Sequence, residues 1–134
     1  MKSKPLLCLL VMSVAIGMST GIGAAPAPQT AGAWVNATGN LANMASECGN
    51  LTRLSAVPGS DTVIAGVAQK GLWANNSGTT WSHLGSGAGS DAITHRPSWI
   101  VYDPLNPAVF WESGIYGNTF GVYKTTDGGV TFHS

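Results

Sequence analysis

The sequence predicts an all-β fold built from two repeated four-stranded units. Three observations predict it. A polar turn occurs twice, as Lys124-Thr125-Thr126-Asp127-Gly128-Gly129-Val130-Thr131-Phe132 and, about fifty residues upstream, as the weaker Ala74-Asn75-Asn76-Ser77-Gly78-Thr79-Thr80-Trp81. Between the turns lie short runs rich in β-branched and aromatic residues, bounded by Gly, Pro, Asn and Asp, which is the strand-and-hairpin signal. After the N-terminal segment, no stretch sustains the apolar period of a helix.

The first element is a secretory signal peptide over residues 1–24. Lys2 and Lys4 supply a positive start, Leu6 to Ile16 an apolar stretch, and small residues run from Gly17 to Ala25. That stretch is too short, and wrongly flanked, for a membrane span. Cleavage is expected after Ala24, because later cuts place proline immediately downstream. Cys8 follows Leu7 rather than a small residue, which argues against a lipoprotein cysteine. The protein is therefore expected to be secreted or periplasmic, with no membrane attachment once the signal is removed. Alanine, proline and glycine make residues 25–33 a flexible leader.

The first unit covers residues 39–84 and the second residues 85–134. In the first, strands are expected at 54–57, 62–67 and 71–73, followed by the weak turn ending at Trp81. The second repeats the order at 99–102, 109–111 and 121–124, followed by the strong turn ending at Phe132. Both keep a proline five residues before a valine of the second strand, Pro58 before Val63 and Pro104 before Val109. Four short strands recurring every ~40–50 residues is the period of β-propeller blades. Trp34 precedes Trp81 by 47 residues, and Trp81 precedes Phe132 by 51. Residues 34–38 thus read as an outermost strand with no blade of its own. Such a strand closes the last blade of a propeller by pairing its open edge, so the expected architecture is about two blades of an incomplete β-propeller.

The polar turns carry a family resemblance. Tyr102-Asp103-Pro104-Leu105-Asn106-Pro107, followed by Gly121-Val122-Tyr123-Lys124-Thr125-Thr126-Asp127-Gly128-Gly129, resembles the Asp-box, or bacterial neuraminidase repeat, of sialidases, xyloglucanases and sortilin-like receptors. The match spans nearly the whole chain after the signal peptide. The second box is close to the family pattern at Thr125, Asp127, Gly129, Thr131 and Phe132. The first is degenerate at Asn76, Gly78, Thr80 and Trp81, with Asn76 standing where aspartate is usual. The resemblance implies a structural role for both boxes, on the face opposite the ligand site. Asp127 would collect backbone N–H groups, Gly128 and Gly129 would supply positive φ, and the aromatic would pack between blades. Asn76 would imitate the aspartate with its amide oxygen.

By the same resemblance, ligands would meet the loops 39–53, 68–70, 85–96 and 113–120. The candidates there are Asp91, His95, Arg96, Trp99, Glu112, Tyr116 and Asn118. Sialidase chemistry is disfavoured, since that family clamps a carboxylate with three arginines and only Arg53 and Arg96 remain after the signal. Glycoside hydrolysis needs two carboxylates across a cleft. Asp61, Asp103 and Asp127 fall in turns on the opposite side, leaving Glu47, Asp91 and Glu112. Glu112 is the weak candidate for a catalytic acid, and its bland alternative is a solvated residue at a loop edge. His95 reads as a satisfied surface histidine. His83 and His133 follow the boxes on outer strands, so no metal site is expected. Trp73, Trp81 and Trp111 read as core, and Trp99 as the indole placed to meet a sugar. Asn36, Asn50 and Asn75 begin glycosylation sequons that matter only in a eukaryotic secretory pathway.

Composition narrows the partners. Charged residues are 9% of the chain, against ~25% in ordinary domains, and the formal net charge is zero. No basic stripe addresses nucleic acid. Cys48 is the one cysteine left after signal removal, and is either buried or paired with a cysteine outside this chain. The expected function is a secreted Asp-box propeller segment, non-catalytic by itself. It would belong to a carbohydrate-processing or extracellular binding protein, with no cofactor. Expected partners are a glycan and either further blades or other copies of the chain. A two-blade lectin closing a ring as a homotrimer and a sortilin-like protein-binding module are the alternatives.

Overall fold

In a computed structural model, residues 32–44, 51–119 and 121–134 are described. The signal peptide, most of the leader, Glu47, Cys48, the Asn50 sequon start and Phe120 lie outside them. Seven strands follow a 3-10 turn at Gly39–Leu41: β1 Leu51–Ala56, β2 Val63–Val67, β3 Gly71–Asn75, β4 Ser82–His83, β5 His95–Tyr102, β6 Phe110–Gly117 and β7 Val122–Thr125. They form two antiparallel meanders, sheet A in the order β1-β2-β3-β4 and sheet B in the order β5-β6-β7. A single bridge from Lys124 to His133 stands where a fourth strand of sheet B would run. The chain is all-β, as the short β-branched runs predict, and the sheets are open rather than closed on themselves. Among the described residues, no helix is long and apolar enough to cross a membrane.

Alternation along the strands divides each sheet into two faces. Ile64 and Leu72 of sheet A meet Ile100, Phe110 and Tyr123 of sheet B, with Ile93 and Phe132, in one buried cluster. Gly66 faces Pro97 so closely that a Cβ on it would lie 2.7 Å from the proline Cβ. Thr52 pins the same junction, donating its hydroxyl to the Pro97 carbonyl at 2.6 Å. The other face of sheet A carries a second cluster of Ala65, Val67 and Trp81, covered by Leu41.

Cross-strand registers make the two sheets equivalent row by row. Ala56, Val63 and Asn75 lie opposite one another in sheet A. Tyr102, Phe110 and Thr125 do so in sheet B. The sheet A row lies on the face away from sheet B, whereas its sheet B counterpart lies on the face toward sheet A. The sheets are thus stacked front to back, related by a repeating step rather than by a two-fold.

Several expectations need correction. Residues 34–38 form no strand. Asn36 instead turns its side chain onto the Thr38 amide at 2.9 Å, which bends the chain, and Trp34 is fully exposed. Just beyond, Asn40 clamps Trp81, accepting from its amide at 2.7 Å and donating to its carbonyl at 2.9 Å. Trp81 is buried as expected, but Trp73 and Trp111 are only half-buried. The stretches 85–96 and 113–120 are not wholly loops, because β5 begins at His95 and β6 continues to Gly117.

The strong turn closes on Asp127, through two hydroxyls and one backbone amide rather than through backbone amides alone. Asp127 accepts from the Thr131 hydroxyl at 2.6 Å, the Thr131 amide at 2.9 Å and the Thr125 hydroxyl at 2.7 Å. The Gly129 amide donates to Thr125 at 2.9 Å. In the weak box the acceptor is Asn75 rather than Asn76. Asn75 occupies the register position of Thr125, accepts from the Ser77 amide at 2.7 Å and donates to the Gly78 carbonyl at 3.1 Å.

Candidate functional site

The meanders turn their β2–β3 and β6–β7 connections, and the link between sheets, toward one end of the stack. At that end Lys70, Trp73, His83, Asp91, Ile93 and Thr94 line a cleft of about 470 Å³. Trp73 is held in place by its indole N–H, which donates to the Lys70 carbonyl at 2.9 Å. The His83 ring packs against it, with centroids 4.8 Å apart and planes at 57°. Register explains the pairing, since Trp73 and His83 lie directly opposite on β3 and β4. The residues around the cleft therefore include a tryptophan, a histidine, a lysine, an aspartate and a threonine.

Behind it lies a sealed pair. His95 and Glu112 are both fully buried. The imidazole Nε2 sits 2.8 and 2.9 Å from the two carboxyl oxygens of Glu112. Nδ1 sits 3.1 Å from the Thr119 carbonyl oxygen. A carbonyl only accepts, so Nδ1 carries a hydrogen. An imidazole nitrogen and a carboxyl oxygen bond through a hydrogen that one of them carries, so Nε2 or the carboxyl group supplies it. Burial pushes the Glu112 carboxyl above the usual carboxylate range, and the His95 hydrogen bond and charge pull it partly back. The Thr94 and Thr119 hydroxyls pair at 3.0 Å, and the Tyr123 ring lies 5.4 Å from the imidazole. Together these contacts fasten the start of β5 and the β6–β7 loop to the middle of β6.

Both expectations for this pair were wrong. Glu112 is in mid-strand rather than at a solvated loop edge, and His95 is interior rather than superficial. Two glycines make room for His95, Gly114 for its ring and Gly117 for its backbone. A Cβ at Gly114 would fall 2.1 Å from His95 Cδ2, and one at Gly117 would fall 2.6 Å from His95 Cα.

The remaining candidates are distributed around this pair. Asp91 lines the cleft and holds the last residue, accepting from the Ser134 amide at 2.8 Å and from its hydroxyl at 3.2 Å. Arg96 pairs with Ile115 across β5 and β6. Tyr116 is the extra residue of the bulge beside that pair. It is 71% exposed with φ +56°, a conformation that costs a non-glycine residue about 1–2 kcal/mol. Asn118 is exposed next to it. Trp99 is exposed on the face of sheet B away from sheet A, with the Arg53 guanidinium carbon 4.8 Å from its ring centroid. His95, Arg96, Tyr116 and Asn118 thus lie together at one end of β5 and β6, with Glu112 reaching His95 from mid-strand, while the expected candidates do not include Trp73 and His83 of the cleft. Trp73 and His83 were assigned to the core and an outer strand. The signal available was their spacing across the weak box, which places them opposite one another on β3 and β4.

Among the described residues, no cluster of three or more His, Cys, Asp or Glu is placed to hold a metal ion. No family model matches the chain, and no curated protein matches it.

Proposed function

We propose that this chain is an exported pair of Asp-box propeller blades that binds carbohydrate at its loop end without cleaving it. The observation that carries the reading is the cleft of about 470 Å³ whose lining includes Trp73, Lys70, Asp91 and Thr94. An indole beside a few convergent polar groups suits a pyranose, whose apolar face stacks while its hydroxyls bond around the rim. Support for the blade architecture comes from the Asp127 network and the front-to-back stacking. Hydrolysis is disfavoured because Glu112, the candidate acid, is fully buried and bonded to His95, out of contact with any substrate in the cleft.

The test is a neutral and acidic glycan panel read by tryptophan fluorescence and by calorimetry. Binding is expected, and Trp73→Ala is expected to weaken it roughly tenfold or more, which is about 1.4 kcal/mol. Asp91→Asn should change which glycans bind. A chain that binds nothing on the panel, or a Trp73→Ala variant that binds as well as the parent, overturns the reading.

A further inference from the structure

The front-to-back stacking inside the chain indicates what would cover its two open faces. Sheet A buries its front against the back of sheet B, with Ile64 2% and Leu72 1% exposed. By register, Ser55, Ile64 and Ala74 correspond to Val101, Trp111 and Lys124, and Arg53, Gly66 and Leu72 to Trp99, Ser113 and Val122. The front of sheet B is therefore the equivalent of a face that sheet A keeps covered. It stands open and apolar, with Trp99 59%, Val101 51%, Ile115 51% and Val122 56% exposed.

The complementary open face is the back of sheet A. Leu41 and Trp81 cover part of it. A groove of about 400 Å³ remains, lined by Leu51, Leu54, Val63 and Trp81, with Asp61 at its rim. Lys124 stands on the sheet B front, its ammonium 5.3 Å from the Trp111 ring centroid. The two faces thus carry opposite charges in a chain with 9% charged residues. Exposed apolar patches of this kind mark interaction surfaces.

We infer that the front of sheet B docks on the back of sheet A of a second copy of this chain, continuing between copies the stacking found within one. The contact is head to tail, so each pairing leaves one front and one back unfilled, and growth continues until a ring closes. The inference stands on the stacking and not on carbohydrate binding, so either can fail alone.

Sedimentation and light scattering of the full chain test it, with one substitution on each face. Val122→Glu disables the front and Leu54→Glu the back; both side chains are more than half exposed. The parent chain should be a discrete oligomer and each variant a monomer. An equimolar mixture of the two variants should form a heterodimer, because one intact back and one intact front remain. If either variant loses its β-sheet circular dichroism, Val101→Lys and Leu51→Lys replace the pair. A monomeric parent overturns the inference. So does an oligomer that survives either substitution, or variants that stay monomeric when mixed.

Discussion

Thr125 and Asp127 show how much of a turn can rest on two side chains. The Thr125 hydroxyl donates to Asp127 and accepts from the Gly129 amide, and the residue is buried. Thr125→Ala would leave that amide unsatisfied, so a loss of about 1–3 kcal/mol is expected in urea denaturation. Asp127 and Glu112 titrate with opposite consequences. Hydrogen bonds from the Thr131 hydroxyl, the Thr131 amide and the Thr125 hydroxyl hold the Asp127 carboxyl well below the usual carboxylate range. A depressed folded value stabilises above the unfolded pKa, and that stability drains as pH falls below about 4. Glu112 is raised by burial, so its contribution is complete below the unfolded pKa and is lost as pH rises through the folded value. Denaturation across the acid range should show Asp127→Asn flattening the acid limb and Glu112→Gln flattening the opposing slope. Identical profiles for parent and variants would refute the assignment. The Asp127 role was legible because every partner lies within four residues of it. The Glu112 role was not, because its partner is 17 residues away and burial is set by a neighbouring sheet.

At the scale of elements, β6 departs most from what its residues suggest. Ser113-Gly114-Ile115-Tyr116-Gly117 reads as a loop, since glycine weakens strands. Here the glycines are what lets β6 continue, because the His95 ring lies against Gly114 and the His95 backbone against Gly117. Gly114→Ala would force a Cβ to within 2.1 Å of His95 Cδ2 and 2.3 Å of the Arg96 carbonyl oxygen. Neither the buried ring nor the backbone can yield, so a loss of about 3 kcal/mol or more is expected in denaturant unfolding. Gly59→Ala is the comparison, with open space around it and positive φ, and should cost only about 1 kcal/mol. Equal losses at the two sites would show that His95 does not pack as described. The hairpin turns were legible from Pro58, Pro104 and the boxes, and the strand ends were not. The pairing there is set by bulges at Thr52, Ser98 and Tyr116, which depend on the partner strand rather than on local preference.

For the molecule as a whole, the decisive feature is that one apolar cluster belongs to both sheets. Phe110 is central to it, 1% exposed, 5.7 Å from Phe132 and 5.5 Å from Tyr102 between ring centroids. The same cluster includes Ile64 and Leu72 from sheet A. The main-chain ties run the same way, with the Gln69 amide donating to the His95 carbonyl at 3.1 Å and the Gly85 amide to the Gly129 carbonyl at 2.7 Å. Either sheet loses this shared cluster if the other unfolds, since an isolated meander would expose one side of it, and sheet A would keep only the smaller cluster on its other face. Phe110→Ala should therefore cost about 3–5 kcal/mol, and the loss should be felt equally in both sheets although the residue lies in sheet B. Hydrogen exchange makes this measurable amide by amide. The amides of β2 and β3 should lose as much protection as those of β6, with one opening free energy for both sheets. Protection that survives in β2 and β3 while β5–β7 open would show two independently folding meanders, and the shared cluster would then be a contact rather than a core.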